Sequence, residues 1–172
     1  MSRATRSASK AANHRAPDDQ LTDLGCACAT ARQLARVLTQ LYDGRLRSSG
    51  IEAPQFALML TLDKEGPCNQ TALGRRYALD KTTVSRNVRL LQRRGWVAVS
   101  SAGDQRERRI VLTAEGRRRL ALARPQWKKA QAELRDKMTG PQWERMFQTF
   151  RSVAQLAAAI RVEAPGAARP GR

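Results

Sequence analysis

Apolar positions along the chain change their period twice, and the changes mark out its elements. Over residues 23–47, Ala27, Ala31, Leu34, Leu38, Leu41 and Tyr42 recur at three- and four-residue steps, the repeat of one helix face. Gly50 separates this stretch from a second helix, opened by Pro54 and carrying Phe56, Met59, Leu60 and Leu62 on its core side. Gly66-Pro67 ends that helix. Asn69 is placed to cap a short third one, QTALGRRY, and Asp80 to cap a fourth over residues 81–94 that stops at Gly95. The pattern then alternates: residues 96–99 and 109–112 predict two short strands joined by the polar loop SSAGDQRER. Helical spacing returns at Thr113, and Pro125 is expected to kink or break this fifth helix. A last helix begins at Thr139 or Gly140 and runs to residue 162, striped by Trp143, Met146, Phe147, Phe150, Val153, Leu156, Ala157 and Ile160.

Four helices, a hairpin and two more helices predict a mainly α chain with a small β-hairpin wing. In such a chain a winged helix-turn-helix domain is flanked by N- and C-terminal dimerisation helices. The expected divisions are a disordered basic N-terminal arm (1–20), the N-terminal dimerisation helix (21–50), the winged helix-turn-helix DNA-binding region (51–118), the C-terminal dimerisation helices (119–162) and a disordered tail (163–172). The stripes on the first and last helices exceed what one small winged unit needs for its own core, which predicts a homodimer.

Composition narrows the function. The chain has 172 residues, with 32 Lys+Arg against 15 Asp+Glu and a formal net charge of +17. That is the balance of a protein that meets a polyanion, either nucleic acid or an anionic membrane surface, although part of it reads as arginine drift on solvated faces. No apolar run approaches the ~18 residues of a membrane span, and the N-terminus MSRATRSASKAANHRAP has no apolar signal core, so a cytoplasmic protein is expected. The one histidine, His14, lies in that polar arm. With no phosphate-cradling glycine loop and no paired carboxylates in an apolar setting, neither an enzyme nor a cofactor is expected. Three cysteines, an odd number without Cys-x-x-Cys or Cys/His pairing, argue against a disulfide framework and against a metal site.

The chemistry concentrates in LGRRYALDKTTVSRNVRLLQRRGWV. Within its second helix Val84, Val88 and Leu91 share an inward face, leaving Thr82, Thr83, Arg86, Arg89 and Arg93 outward with Ser85 and Asn87 on the flanks. Ala72 and Gly74 leave room for the two helices to cross, and Leu79 anchors the turn. One helix fits a DNA major groove, whose base edges suit Arg, Asn, Ser and Thr. Read alone, the segment is equally an amphipathic helix with a solvated arginine face; the hairpin that follows favours DNA. Its loop region carries Asp104, Arg106, Arg108 and Arg109, a basic tip suited to the minor groove, with Asp104 bracing Arg106.

Taken with DQRERRIVLTAEGRRRL, in which Asp104-x-Arg106 leads into Leu112-Thr113-x-x-Gly116, this segment resembles the MarR-type transcriptional regulators, over roughly residues 24–160. The resemblance implies a homodimer with interleaved first and last helices that binds a palindromic operator in double-stranded DNA. It implies recognition-helix contacts from Thr83, Arg86, Asn87 and Arg89, with Arg106 at the wing tip. It also implies a sequence-specific repressor relieved by a small effector. Position 89, often acidic in that family, is Arg here. A non-specific nucleoid-type DNA-binding protein or an RNA-binding protein is the alternative that the charge alone allows.

Cys26 and Cys28 stand in GCACATARQ, where the start of a helix favours a thiolate. Two residues apart on a helix, they point to opposite sides and suit no mutual disulfide. Aligned through TQLYD and APQF, Cys28 resembles the reactive cysteine of the organic-hydroperoxide-sensing branch and Tyr42 one of its supporting tyrosines. Arg32 and Ala53 stand where the other two tyrosines would be. The effector is then either an oxidant acting at a thiol or a non-covalent aromatic or lipophilic ligand held between the dimer helices and the reading head. Small, packed, inert cysteines are the plainer alternative.

Overall fold

A computed structural model describes residues 25–101 and 108–163. The chain divides into two compact units, Met1–Leu38 and Thr39–Arg172. In the first unit the described structure is the opening part of helix α1 (Ala27–Leu46), with Leu34 and Val37 exposed. The 1–20 arm and the tail from 164 onward lie outside the described residues.

The second unit takes up the end of α1 and a 3-10 turn (Arg47–Ser49), then α2 (Ala53–Glu65), α3 (Gln70–Tyr77), α4 (Lys81–Arg93), β1 (Val97–Ser101), β2 (Arg108–Leu112), α5 (Ala114–Arg135) and α6 (Gly140–Glu163). Its core joins Phe56, Leu58, Met59 and Leu62 of α2 to Leu73, to Val84, Val88 and Leu91 of α4, to Trp96 and Ile110 at the hairpin, and to Leu120 and Ala123 of α5. Each such large side chain contributes about 1.5–3 kcal/mol by leaving water. Helix starts follow local chemistry. The Asn69 carboxamide oxygen accepts the Ala72 amide at 2.8 Å, and the Thr113 hydroxyl accepts the Gly116 amide at 2.9 Å. At α2 the cap is Glu52, which exchanges bonds with Gln55 in a capping box, while Pro54 occupies the first turn.

Gly116 seats α5 on the hairpin. A Cβ there would lie 2.0 Å from the Trp96 carbonyl oxygen, so only a hydrogen permits the approach. Thr113 completes the joint, its amide donating to that same carbonyl at 3.1 Å and its hydroxyl to the Gly95 carbonyl at 2.7 Å. Beside it Trp96 is buried, with the Arg94 guanidinium 4.9 Å and the Arg119 guanidinium 5.8 Å from its ring centroid. Arg94 also donates to the Gly50 carbonyl at 3.0 Å, and Arg119 to the Ser49 carbonyl at 3.4 Å. The α1–α2 connection, the end of α4 and the start of α5 are thereby tied around one indole.

The structure departs from the sequence reading in four places. First, α1 ends at Leu46, and the next three residues tighten into the 3-10 turn. Second, the strands pair antiparallel from Val97↔Leu112 to Ser101↔Arg108, which extends the hairpin by Ser100, Ser101 and Arg108 at the expense of the loop and leaves Trp96 before β1. Third, Cys68 joins the hairpin as a third row: its carbonyl accepts the Ile110 amide at 2.8 Å and its amide donates to the Ile110 carbonyl at 3.3 Å. Finally, Pro125 does not break α5, which runs through it. Ala121, whose carbonyl loses its partner four residues on, is exposed, so water can serve that oxygen.

No described residue of α6 from Gly140 to Arg161 is buried, and Phe147, Phe150, Val153, Leu156 and Ile160 are 40–67% exposed along it. Among the described residues no helix is long and apolar enough to cross a membrane.

Candidate nucleic-acid interface

The turn between α3 and α4 is tight because both sides of it are small or anchored. The Leu79 amide donates to the Gly74 carbonyl at 2.9 Å, and a Cβ on Gly74 would lie 3.1 Å from the Leu79 oxygen. Asp80 then starts α4, its two carboxylate oxygens accepting from the Thr83 amide at 2.9 Å and the Thr83 hydroxyl at 2.6 Å. The Thr83 hydroxyl, followed by the backbone amides, holds the Asp80 carboxyl below its ordinary value, against a small opposing effect of desolvation.

With Val84, Val88 and Leu91 buried, the opposite side of α4 opens to solvent. Lys81, Thr82, Ser85, Arg86, Arg89 and Arg93 line one shallow groove there, of ≈ 470 Å³. Four cations on one face attract an anion, and the helix is firmly based on the core. Thr83 and Asn87 are half-buried and outside the groove lining, so the structure brings together four of the six recognition-helix candidates, Thr82, Ser85, Arg86 and Arg89. Arg93, at the end of the groove, belongs with them. Of the wing candidates Arg108 is exposed at the start of β2, whereas Asp104 and Arg106 lie outside the described residues.

A second concavity, of ≈ 340 Å³, is lined by residues from the end of α1 and from α2, α3 and α5. Leu46, Phe56, Leu60 and Trp127 make it apolar, with Phe56 and Trp127 stacked at 5.6 Å between centroids. Both tyrosines of the chain line it. Tyr77 donates its hydroxyl to the Ala57 carbonyl at 2.8 Å and shares a 2.6 Å hydrogen bond with the Thr61 hydroxyl. Tyr42 is half-buried, which pushes its phenol above the usual value. Lys64 and an Arg76–Glu65 ion pair sit at the rim. Apart from Tyr42, sequence reasoning named none of these residues as a site. The usable signal was scarcity, since so few aromatics rarely face solvent without reason.

Cys26 and Cys28 are free and exposed at the start of α1, and Cys68 is half-buried. Burial pushes the Cys68 thiol up, the nearby Glu65 carboxylate adds to the rise, and Arg76 partly opposes it. Cys68 is therefore a poor thiolate.

The sequence model of the MarR family matches residues 49–107, from the 3-10 turn into the wing. The chain is 28% identical over 87 residues to YwoH, an HTH-type transcriptional regulator of Bacillus subtilis; the match takes in 51% of this chain and 64%, under two thirds, of that relative. The structure is similar to the M. tuberculosis transcriptional regulator MosR, with 35% identity, a TM-score of 0.68, and coverage of 78% of this chain and 96% of MosR. Against MosR in complex with DNA, identity is 36% and the TM-score 0.72, over 79% of this chain and 98% of that one. PcaV of Streptomyces coelicolor, solved with its natural ligand, shares the fold at 24% identity and a TM-score of 0.69, over 80% and 98% of the two chains.

Proposed function

Since the chain belongs to the MarR family, we propose that it is a transcriptional regulator that binds a palindromic DNA operator sequence-specifically as a homodimer and represses until a small effector releases it. The observation that carries the reading is the groove on α4, where Lys81, Arg86, Arg89 and Arg93 converge on one face of a capped helix. The relative MosR has been captured with DNA, and this chain covers almost all of it. The wing would add Arg106 and Arg108 in the adjoining minor groove, with Asp104 as their brace.

For the effector, the cavity lined by Tyr42 and Tyr77 favours a non-covalent apolar or aromatic ligand, because its lining adds Phe56, Trp127, Leu46 and Leu60 to those two rings, with polar groups among them. Oxidation of Cys28 is the competing route. The two separate cleanly: Cys28→Ser abolishes peroxide-driven release from DNA if the thiol is the sensor and leaves it unchanged otherwise.

The deciding experiment is a gel shift on DNA flanking the chain's own gene, challenged with excess random DNA. Retention of the shift supports the regulator. Equal competition by random DNA instead makes the chain a non-specific DNA-binding protein that uses its +17 charge on phosphates alone.

A further inference from the structure

We propose that each operator half-site is marked by two guanines, at neighbouring or next-but-one base pairs, one read by Arg86 and the other by Arg89. This rests on the DNA-regulator reading above and adds which bases the face selects.

The argument starts from what the face lacks. Its lining, Lys81, Thr82, Ser85, Arg86, Arg89 and Arg93, holds four cations and two hydroxyls, and α4 carries no Asp or Glu along its length. The adjoining carboxylate, Asp80, has both oxygens engaged by Thr83. In the major groove, cytosine presents an amino donor and adenine an amino donor beside one acceptor, so both call for an acceptor from the protein. Guanine presents N7 and O6, two acceptors side by side, which match the forked donors of one guanidinium. The hydroxyls of Thr82 and Ser85 donate or accept and so discriminate weakly. Asn87, the natural adenine reader, is half-buried off the groove.

Position along the helix separates the arginines. Arg86 and Arg89 are one turn apart on the exposed face, a rise of about 4.5 Å, against about 3.4 Å per base pair, so they reach neighbouring or next-but-one pairs. Among the described residues neither has an ion-pair or hydrogen-bond partner, so both forks are available. Arg93 lies about 10 Å beyond Arg86, towards the C-terminal end of α4. Recognition helices contact bases from their N-terminal part, which leaves Arg93 for a phosphate. Lys81, a point charge without a fork, also suits a phosphate.

The test is selection of binding sites by the full chain from a randomised duplex pool, repeated with Arg89→Lys and Arg86→Lys. Two guanines at fixed spacing in each half-site are expected. Each Lys variant should lose preference at one of them while still binding, because charge is kept and the fork is lost. Replacing either guanine by 7-deazaguanine, which removes N7 and keeps base pairing, should weaken wild-type binding by about tenfold. A sharp consensus without these guanines, or one unchanged in both Lys variants, overturns the inference and leaves the regulator reading standing. Absence of any consensus from a folded chain that still binds DNA overturns the regulator reading itself.

Discussion

At Gly116 helix propensity and packing oppose each other, and their sizes decide the outcome. Alanine in a helix is favoured over glycine by about 1 kcal/mol. Its methyl, however, would lie 2.0 Å from the Trp96 carbonyl and 2.9 Å from Leu112 Cδ1, one a backbone atom that cannot step aside. Forced overpacking costs about 1–3 kcal/mol, and a clash with backbone belongs at the upper end of that range, so Gly116→Ala should destabilise by about 1–2 kcal/mol net in urea unfolding. A stabilised variant would mean the α5–hairpin joint is looser than described. Asp80 carries a sign of its own. Its carboxyl is held below the ordinary 3.8, so its contribution to stability is present above that value and is lost as pH falls through the lower, folded-state value. Asp80→Asn keeps an acceptor for the Thr83 amide but cannot titrate; its denaturation midpoint should fall less steeply than wild type on acidification below pH 4. Parallel profiles would remove Asp80 from the acid response. Both positions show what is legible locally: Asn69, Asp80 and Thr113 cap the helices predicted for them, because a cap needs only its next three residues. Thr83 shows the limit. Its helical face said outward, while its hydroxyl belongs to Asp80.

Between elements, contacts come from residues far apart in sequence, and no periodicity records them. The pairing of Cys68 with Ile110 spans the whole helix-turn-helix, and the grip on Trp96 joins residues from Ser49 to Arg119. At Pro125 the lost hydrogen bond is local and predicts a kink or a break, whereas α5 runs on, held by Leu120, Ala123 and Ala130 buried on both sides of it. The grip on Trp96 also makes a prediction. Arg94 stands over the indole and on the Gly50 carbonyl together, at the C-terminal end of α4 where a cation is favoured. Because Arg94 is exposed, the ring contact belongs at the low end of its range, about 0.5–1 kcal/mol. A double-mutant cycle of Arg94→Ala with Trp96→Leu should return a coupling of that size by chemical denaturation. Strictly additive losses would show that Arg94 acts only through Gly50.

The cavity lined by Tyr42 and Tyr77 needs walls from α1, α2, α3 and α5 at once, so it belongs to the assembled unit and was invisible in the sequence beyond Tyr42. The stripe on α6 was legible for the opposite reason: it is written in one helix and no other part of the described unit covers it. Phe147, Phe150, Val153, Leu156 and Ile160 remain 40–67% exposed, an apolar row of the kind that a soluble chain ordinarily covers. On the homodimer reading a second copy covers it, and the pairing fixes the distance between two α4 grooves. Linking two weak half-site contacts in this way raises affinity by about 10²–10⁴ without any new contact to DNA. A charge in the stripe should therefore act at a distance. Phe150→Glu with Leu156→Glu should sediment as a folded monomer and bind a palindrome no more tightly than a single half-site, about 10²-fold or more below wild type. Its affinity for one half-site should stay unchanged, because neither residue lines the groove. A dimeric double variant, or a monomer that still prefers the palindrome, would place the dimer contact elsewhere on the chain.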